Sequence, residues 1–306
     1  MAKSFKQLLG DDVKNTRTLL HEAIPITGTI SSGTYSDNNI KTFSHGMFES
    51  VYDYPYLSSS ANHIFDLTYG CSSDVSSSAN TQNAKKLNIY NQMAQVLVGY
   101  NESGSIRKFD SDGNTVETDS GRMDHCFFMN FSRLLVKDEI KKNSFRLQMF
   151  LSSSAVGSAV AITGDGTERT AAKLATIGDY KSATEFRTSP AGDYGLLFLN
   201  ENEATAGNSG SVGLVFYQAG VAVLTSSIFT GSFGIAGDEF NKNTGTDDLN
   251  AEGTPDGITG GHDGVRAAVT ASTIERLADS FRRTVYDVDF NNTIELNSSI
   301  YFCRVN

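Results

Sequence analysis

Histidine occurs five times in these 306 residues, cysteine three times and tryptophan not at all. The shortage of imidazole and thiol limits metal and nucleophile chemistry. His21, His125 and His262 have no ligand spacing with one another or with a cysteine. Cys71, Cys126 and Cys303 are odd in number, far apart and never in Cys-x-x-Cys. That excludes a disulfide framework and predicts buried, reduced thiols in a protein made in a reducing cytosol. Basic charge is short too: 25 Lys and Arg against 35 Asp and Glu leave a net charge of -10. Such a surface opposes adhesion to nucleic acid or anionic membrane, because counterion release needs clustered cations. No run approaches the roughly 18–20 apolar residues of a membrane span. The first ten residues hold no apolar stretch of signal-peptide length. Neither a nucleic-acid partner nor a membrane span is expected.

What is present suits a large folded unit. Hydrophobic residues make up 39 %, with 19 Phe and 12 Tyr, enough for a substantial core. The pattern predicts an α+β, mainly β fold: antiparallel sheets and hairpins, two or three amphipathic helices and long loops. Residues 1–60 read as an extended arm. Within it, Ser4–Leu9 could make a helical turn, and Val13–Thr42 mixes turn residues with brief β-prone stretches. Residues 61–230 read as the main β domain. It opens with a strand from His63 to Tyr69 that ends at Gly70, where Ile64, Leu67 and Tyr69 compete with Phe65 for the buried face. Ser72–Asn80 is a serine-rich loop expected on the surface. A helix follows, capped by Asn80 or Thr81, with Leu87, Tyr90, Met93, Ala94 and Leu97 at three- and four-residue steps and Gly99 as its left-handed stop. Phe109–Val116 reads as a hairpin turning on Asp112-Gly113.

Two apolar stretches, Cys126–Val136 and Phe145–Leu151, flank a charged segment, and the second alternates as a strand should. Val156–Ile162 and Tyr194–Leu199 look like further strands. The sharpest pattern is Ser211–Tyr217, then Gln218-Ala219-Gly220, then Val221–Thr225. Both arms are nearly continuous apolar sequence, so the hairpin should be covered on both faces. Residues 231–265 break the pattern as an acidic surface loop. Asp238, Glu239, Asp247, Asp248, Glu252, Asp256 and Asp263 face Lys242 alone, for a local charge of -6. Residues 266–306 read as a helix and a closing strand packed on the main domain. Ser272 and Glu275 form its capping box, and Ile274, Leu277, Ala278 and Phe281 its apolar stripe. Arg282-Arg283 at its end suits the helix dipole.

Three constellations invite chemistry. Gly207-Asn208-Ser209-Gly210-Ser211 resembles the nucleophile loop of chymotrypsin-like proteases, with Ser209 as nucleophile and His45 with Asp53, or His63 with Asp74, as upstream partners. It departs from that family in carrying Asn208 where an aspartate belongs, and in lacking tryptophan and paired disulfides. Asp110-Ser-Asp112-Gly-Asn114 and Asp248-Leu-Asn250-Ala-Glu252 alternate oxygen ligands as calcium loops do. Their twelfth positions are Gly121 and Thr259, not carboxylates, so turn chemistry is the better reading. Gly164–Thr167 and Gly260–Gly264 lack the Lys-Ser/Thr of a phosphate loop. No catalytic, cofactor or metal residues are assigned on this basis.

Several segments do resemble a known group. Phe65–Gly70, Asn88–Val98 and Asn292–Asn306 are similar to stretches of virion structural proteins of large contractile-tailed bacteriophages, of the marine and cyanobacterial kind. The Val212–Leu224 hairpin is similar to two-arm strand motifs in tail and baseplate proteins. The resemblance implies a non-enzymatic subunit of the virion, made in the host cytoplasm, in the baseplate wedge or tail before the neck or head. Its implied partners are other virion subunits, copies of itself or neighbouring tail proteins. The acidic residues of 231–265 are the interaction candidates, and no cofactor is expected. The alternatives are a serine hydrolase using Ser209, and a receptor- or glycan-binding module presenting Tyr52, Tyr54 and Tyr56.

Overall fold

Thirteen strands gather into one sheet in the computed structural model, which describes residues 9–25, 37–74, 81–114, 121–151, 173–201, 210–229 and 273–302. They are β1 (Val13–Pro25), β2 (Ile40–Thr42), β3 (Glu49–Tyr52), β4 (His63–Cys71), β5 (His125–Phe131), β6 (Glu139–Ile140), β7 (Arg146–Leu151), β8 (Lys173–Gly178), β9 (Arg187–Ser189), β10 (Gly192–Phe198), β11 (Ser211–Phe216), β12 (Val221–Thr225) and β13 (Val285–Tyr301). The spatial order is β1-β13-β7-β8-β10-β11-β12-β5-β4-β3-β2, with β6 on β13 and β9 on β10. Every pairing between these strands is antiparallel. Among the described residues three α-helices accompany them: α1 (Thr81–Leu97), α2 (Arg133–Val136) and α3 (Ile274–Thr284). The fold is α+β and mainly β, as the pattern predicts.

The central hairpin sits where its sequence puts it. Val215, Phe216, Val221 and Val223 are all buried, on both faces of β11 and β12. Gly220 takes a φ of +68 in the turn, a conformation that costs glycine nothing. The sheet is covered on both sides. Phe127 stacks on Phe281 of α3 at 4.7 Å, while Phe128, pointing to the other face, packs on Phe109, itself edge-on to Tyr90 of α1. The helix α1 approaches β4 closely because position 70 is glycine. A Cβ there would lie 2.8 Å from the Tyr90 backbone nitrogen. The sheet also curls over: Phe131 of β5 meets Phe290 of β13 at 5.3 Å, although five strands separate them in the sheet.

Several local expectations change. The strand from His63 runs on to Cys71, and Ile64, Phe65, Leu67 and Tyr69 are all buried because both of its faces are covered. Ser72 is buried rather than exposed, its hydroxyl donating to Asp124 at 2.5 Å. The Cys126–Val136 stretch divides at Ser132 into β5 and the single turn α2, which ends where Lys137 adopts a positive φ of 59. The turn at Asp112-Gly113 forms, but Asp110 and Arg122 make only an isolated bridge, the segment between them lying partly outside the described residues. Thr273, not Ser272, caps α3, its hydroxyl accepting from the Arg276 N–H. Arg282 is buried within the fold and pairs with Asp279, rather than standing at an exposed helix end. The α1 helix keeps its expected bounds and Gly99 its positive φ of +79. Ser4–Leu9 lies outside the described residues except for Leu9, and Val156–Ile162 lies wholly outside them.

The largest difference concerns residues 13–25. In place of brief β-prone pieces they form one thirteen-residue strand, β1, paired along its whole length with β13.

Candidate assembly surface

The strands β1 and β13 form a ribbon that leaves the body of the protein. Near its base β13 is flanked by β7 at Val285–Asp289 and by β6 at Asn292–Thr293. Beyond Ile294, among the described residues, its ladder partner is β1 alone. From Leu296 to Tyr301 and from Lys14 to Ala23, every residue is exposed. A two-stranded ribbon with neither face covered is marginal in water by itself.

Its two faces differ. Directly paired residues share a face, so Leu20 with Ile294, Thr18 with Leu296, Thr16 with Ser298 and Lys14 with Ile300 stand on one side. That side continues outward from Phe290, a core residue with the same parity. The opposite face is mixed, with Leu19 and Tyr301 standing among polar contacts. Arg17 pairs with Glu295, Asn297 donates to Glu295 at 2.8 Å, Ser299 donates to Asn15 at 2.6 Å, and His21 meets Thr293 at 3.1 Å. Asn297 and Arg17 together hold the Glu295 carboxyl below its ordinary range. Leu19, Leu20, Leu296, Ile300, Tyr301 and Phe302 are each about half exposed, an apolar concentration of the kind that marks an interaction surface.

The residues proposed from sequence for other chemistry are not brought together. Ser209 and the acidic candidates Asp238, Glu239, Asp247, Asp248, Glu252, Asp256 and Asp263 lie outside the described residues, as do Asp248–Glu252, Gly164–Thr167 and Gly260–Gly264. His45 stacks on Phe43 at 5.2 Å and accepts from the Met47 N–H, while Asp53 accepts from Asn62. His63 pairs with Asp66 at 2.8 Å, and Asp74 instead holds Lys108 at 2.5 Å and Arg122 at 3.0 Å. Those cations, Lys108 foremost, draw the Asp74 carboxyl below its usual value. Asp110-Ser-Asp112-Gly-Asn114 closes on itself as an Asx turn, with Asp110 accepting from the Asp112 N–H at 3.1 Å and Asp112 from Asn114 at 2.9 Å. Among the described residues no group of three or more His, Cys, Asp or Glu is placed to hold a metal. Tyr52 lies 6.5 Å from Tyr56 and 5.5 Å from His63, and Tyr54 and Tyr56 are exposed. Cys71 and Cys126 are buried thiols with no disulfide.

Two buried polar groups escape a reading of the sequence. Asp179, fully buried, accepts from the backbone N–H of Asn143 at 2.7 Å and of Phe145 at 3.0 Å. It also accepts from Ser182 at 2.7 Å, Tyr217 at 3.0 Å and Arg146 at 3.1 Å. Burial pushes its carboxyl up against the pull of those donors. Burial, with the Asp179 charge beside it, pushes the Tyr217 phenol up as well and keeps it a donor. Lys86 of α1 is buried too, its amine 5.9 Å from the centre of the Tyr69 ring, and desolvation lowers its pKa to about 8. In sequence, Gly178-Asp179-Tyr180 looks like a turn and Lys86 like the solvated side of a helix. No local pattern distinguishes them.

The chain matches no known protein family, no curated protein and no solved structure. No helix among the described residues is long and apolar enough to cross a membrane.

Proposed function

We propose that the chain is a structural, non-enzymatic subunit of a contractile-tailed bacteriophage virion, placed in the tail or baseplate. One observation carries the assembly part of this reading: the projecting β1–β13 ribbon, exposed on both faces and carrying half-exposed Leu19, Leu20, Leu296, Ile300 and Tyr301, which a solitary subunit has no use for. The resemblance of the segments around Phe65–Gly70, Asn88–Val98 and Asn292–Asn306 supplies the particle. Antibodies raised against the purified chain should decorate a fixed position on the tails of particles released by the cells that make it. Unlabelled particles, with all of the chain left as free subunits, would overturn the reading. The exposed Tyr54 and Tyr56 beside Tyr52 favour a second reading, a glycan- or receptor-binding module. It requires glycan binding that is lost on Tyr56→Ala.

A further inference from the structure

The backbone of β1 has two edges, and among the described residues only one is used. The Phe302 N–H donates to the Asp12 carbonyl at 2.8 Å, and the Glu22 N–H donates to Asn292 Oδ1 at 3.3 Å. Across β13, the Asn291 carbonyl accepts from Lys141 at 2.7 Å and the Thr293 carbonyl from Asp138 at 3.3 Å, both away from β1. These contacts fix the parity of the ladder. Even-numbered residues of β1 direct their N–H and C=O groups at β13. Val13, Asn15, Arg17, Leu19, His21 and Ala23 direct theirs to the open side. Pro25 has the same outward parity and no N–H, so it ends the usable edge. The edge that can accept another strand runs from Val13 to Ala23, and its midpoint is Thr18.

We propose that this edge pairs with the same edge of a second copy, antiparallel about a two-fold axis, with Thr18 opposite the second copy's Thr18. The inference rests on the reading of the ribbon as an assembly surface. Pairing the whole edge with itself sets Arg17 against Leu19, Asn15 against His21 and Val13 against Ala23 as hydrogen-bonded pairs, for about a dozen ladder bonds. It also sets Lys14 against Glu22 twice, on one face of the joined sheet, where opposite charges in register stabilise the pair. Both side chains are exposed in the single subunit. Hydrogen-bond geometry and charge thus select the same register independently.

The neighbouring registers fail. A shift of one residue opposes outward groups with inward ones. Centring on Arg17 sets that arginine against itself and Lys14 against Leu20. Centring on Leu19 sets Lys14 against Ile24 and Glu22 against Thr16. The Thr18 register also places the two bodies at opposite ends of a ladder about 35 Å long, so that they do not collide. A long uncovered edge is a known route to association, and here association closes it.

The test uses the full chain. Thr18→Cys, oxidised mildly, should give a disulfide-linked dimer on a non-reducing gel, because side chains in such a pair stand within bridging distance. Thr16→Cys and Leu20→Cys should each cross-link poorly alone and well when the two variants are mixed. Leu19→Pro removes one outward N–H without touching the β1–β13 ladder. It should weaken dimerisation roughly tenfold or more, measured by sedimentation, with the melting temperature of the monomer unchanged. Glu22→Lys should weaken it similarly, and Lys14→Glu in the same chain should restore it. A chain that labels particles yet stays monomeric, or that cross-links best through Thr16→Cys or Leu20→Cys alone, overturns the inference and leaves the assembly reading standing. A dimer through Thr18 in a chain that never enters a particle does the reverse.

Discussion

The hairpin β11–β12 and the ribbon β1–β13 are both antiparallel ladders, yet they depend on opposite things. In the hairpin, Val215, Phe216 and Val223 lie inside the sheet with both faces covered, and the turn at Gly220 fixes the register locally. In the ribbon, Leu20, Leu296 and Ile300 remain half exposed, and the strands come from distant parts of the sequence. The hairpin is held by what surrounds it. The ribbon is held by its ladder and awaits a surrounding. On the proposed reading folding and assembly are carried by separate β structures, and substitutions should separate them.

The sharpest contrast comes from side-chain truncation. Phe216→Ala should cost on the order of 3–5 kcal/mol in chemical denaturation, since it opens a cavity against Phe109 and Tyr194. Leu296→Ala, in the ribbon, should change the stability of the isolated chain by less than about 0.5 kcal/mol. Equal losses at the two positions would mean that the ribbon is packed in the subunit and the contrast is wrong.

Asp179→Ala should follow at about 3 kcal/mol. It strands the Phe145 N–H and the Tyr217 hydroxyl together and leaves the Asn143 N–H with Ser182 alone. A loss below about 1 kcal/mol would show that water replaces the carboxylate. The core is then more porous than its burial suggests.

Lys86 tests whether the core resents a buried amine. Its folded pKa is depressed to about 8 from 10.5. Between those values the unfolded chain holds a proton that the folded chain has lost, so stability should rise as pH climbs through that window. At neutral pH the amine is charged in both states and its burial is a cost. Lys86→Met should therefore stabilise the chain by about 1–3 kcal/mol at pH 7, an advantage that shrinks towards pH 10. A destabilised variant with a constant gap would assign Lys86 a favourable role instead.

The smallest effect is the finest probe. Amides of β1 at Asn15, Arg17 and Leu19 should exchange with solvent deuterium rapidly in the isolated chain, and those of Val215 and Val223 only through global unfolding. Protection of the odd-numbered β1 amides at high concentration would report the edge closing.

The same contrast explains what the sequence discloses. The hairpin is legible because two apolar arms and a glycine state their structure within fifteen residues. The α1 helix is legible through its apolar spacing and Gly99. By contrast Lys14-Asn15-Thr16-Arg17-Thr18 has little strand propensity, and β1 exists because Leu296–Ile300 is there to pair with it. No window of neighbours contains that information. The turn α2 is hidden for the opposite reason: Leu134-Leu135-Val136 continues the apolar run of β5, and the change from strand to helical turn falls within the short polar pair Ser132-Arg133. Asp179 gathers donors from Asn143, Phe145 and Tyr217, far from it in sequence. Of the candidate surface the residues disclose the closing strand within 266–306, which is β13, but not its partner strand β1.

Thr16 and Ser298, which hydrogen-bond across the ribbon, are separated by 282 positions along the sequence. The loop they close spans nearly everything between, so this ladder carries a high contact order and should be among the last parts to form. During synthesis β1 emerges early and stays without its mate until residues beyond 294 leave the ribosome. A chain interrupted before that point could fold its central hairpin yet would present no ribbon. The surface proposed for contact between copies would thus be withheld from unfinished subunits, and the order of translation would act as a check on what is admitted to the proposed assembly.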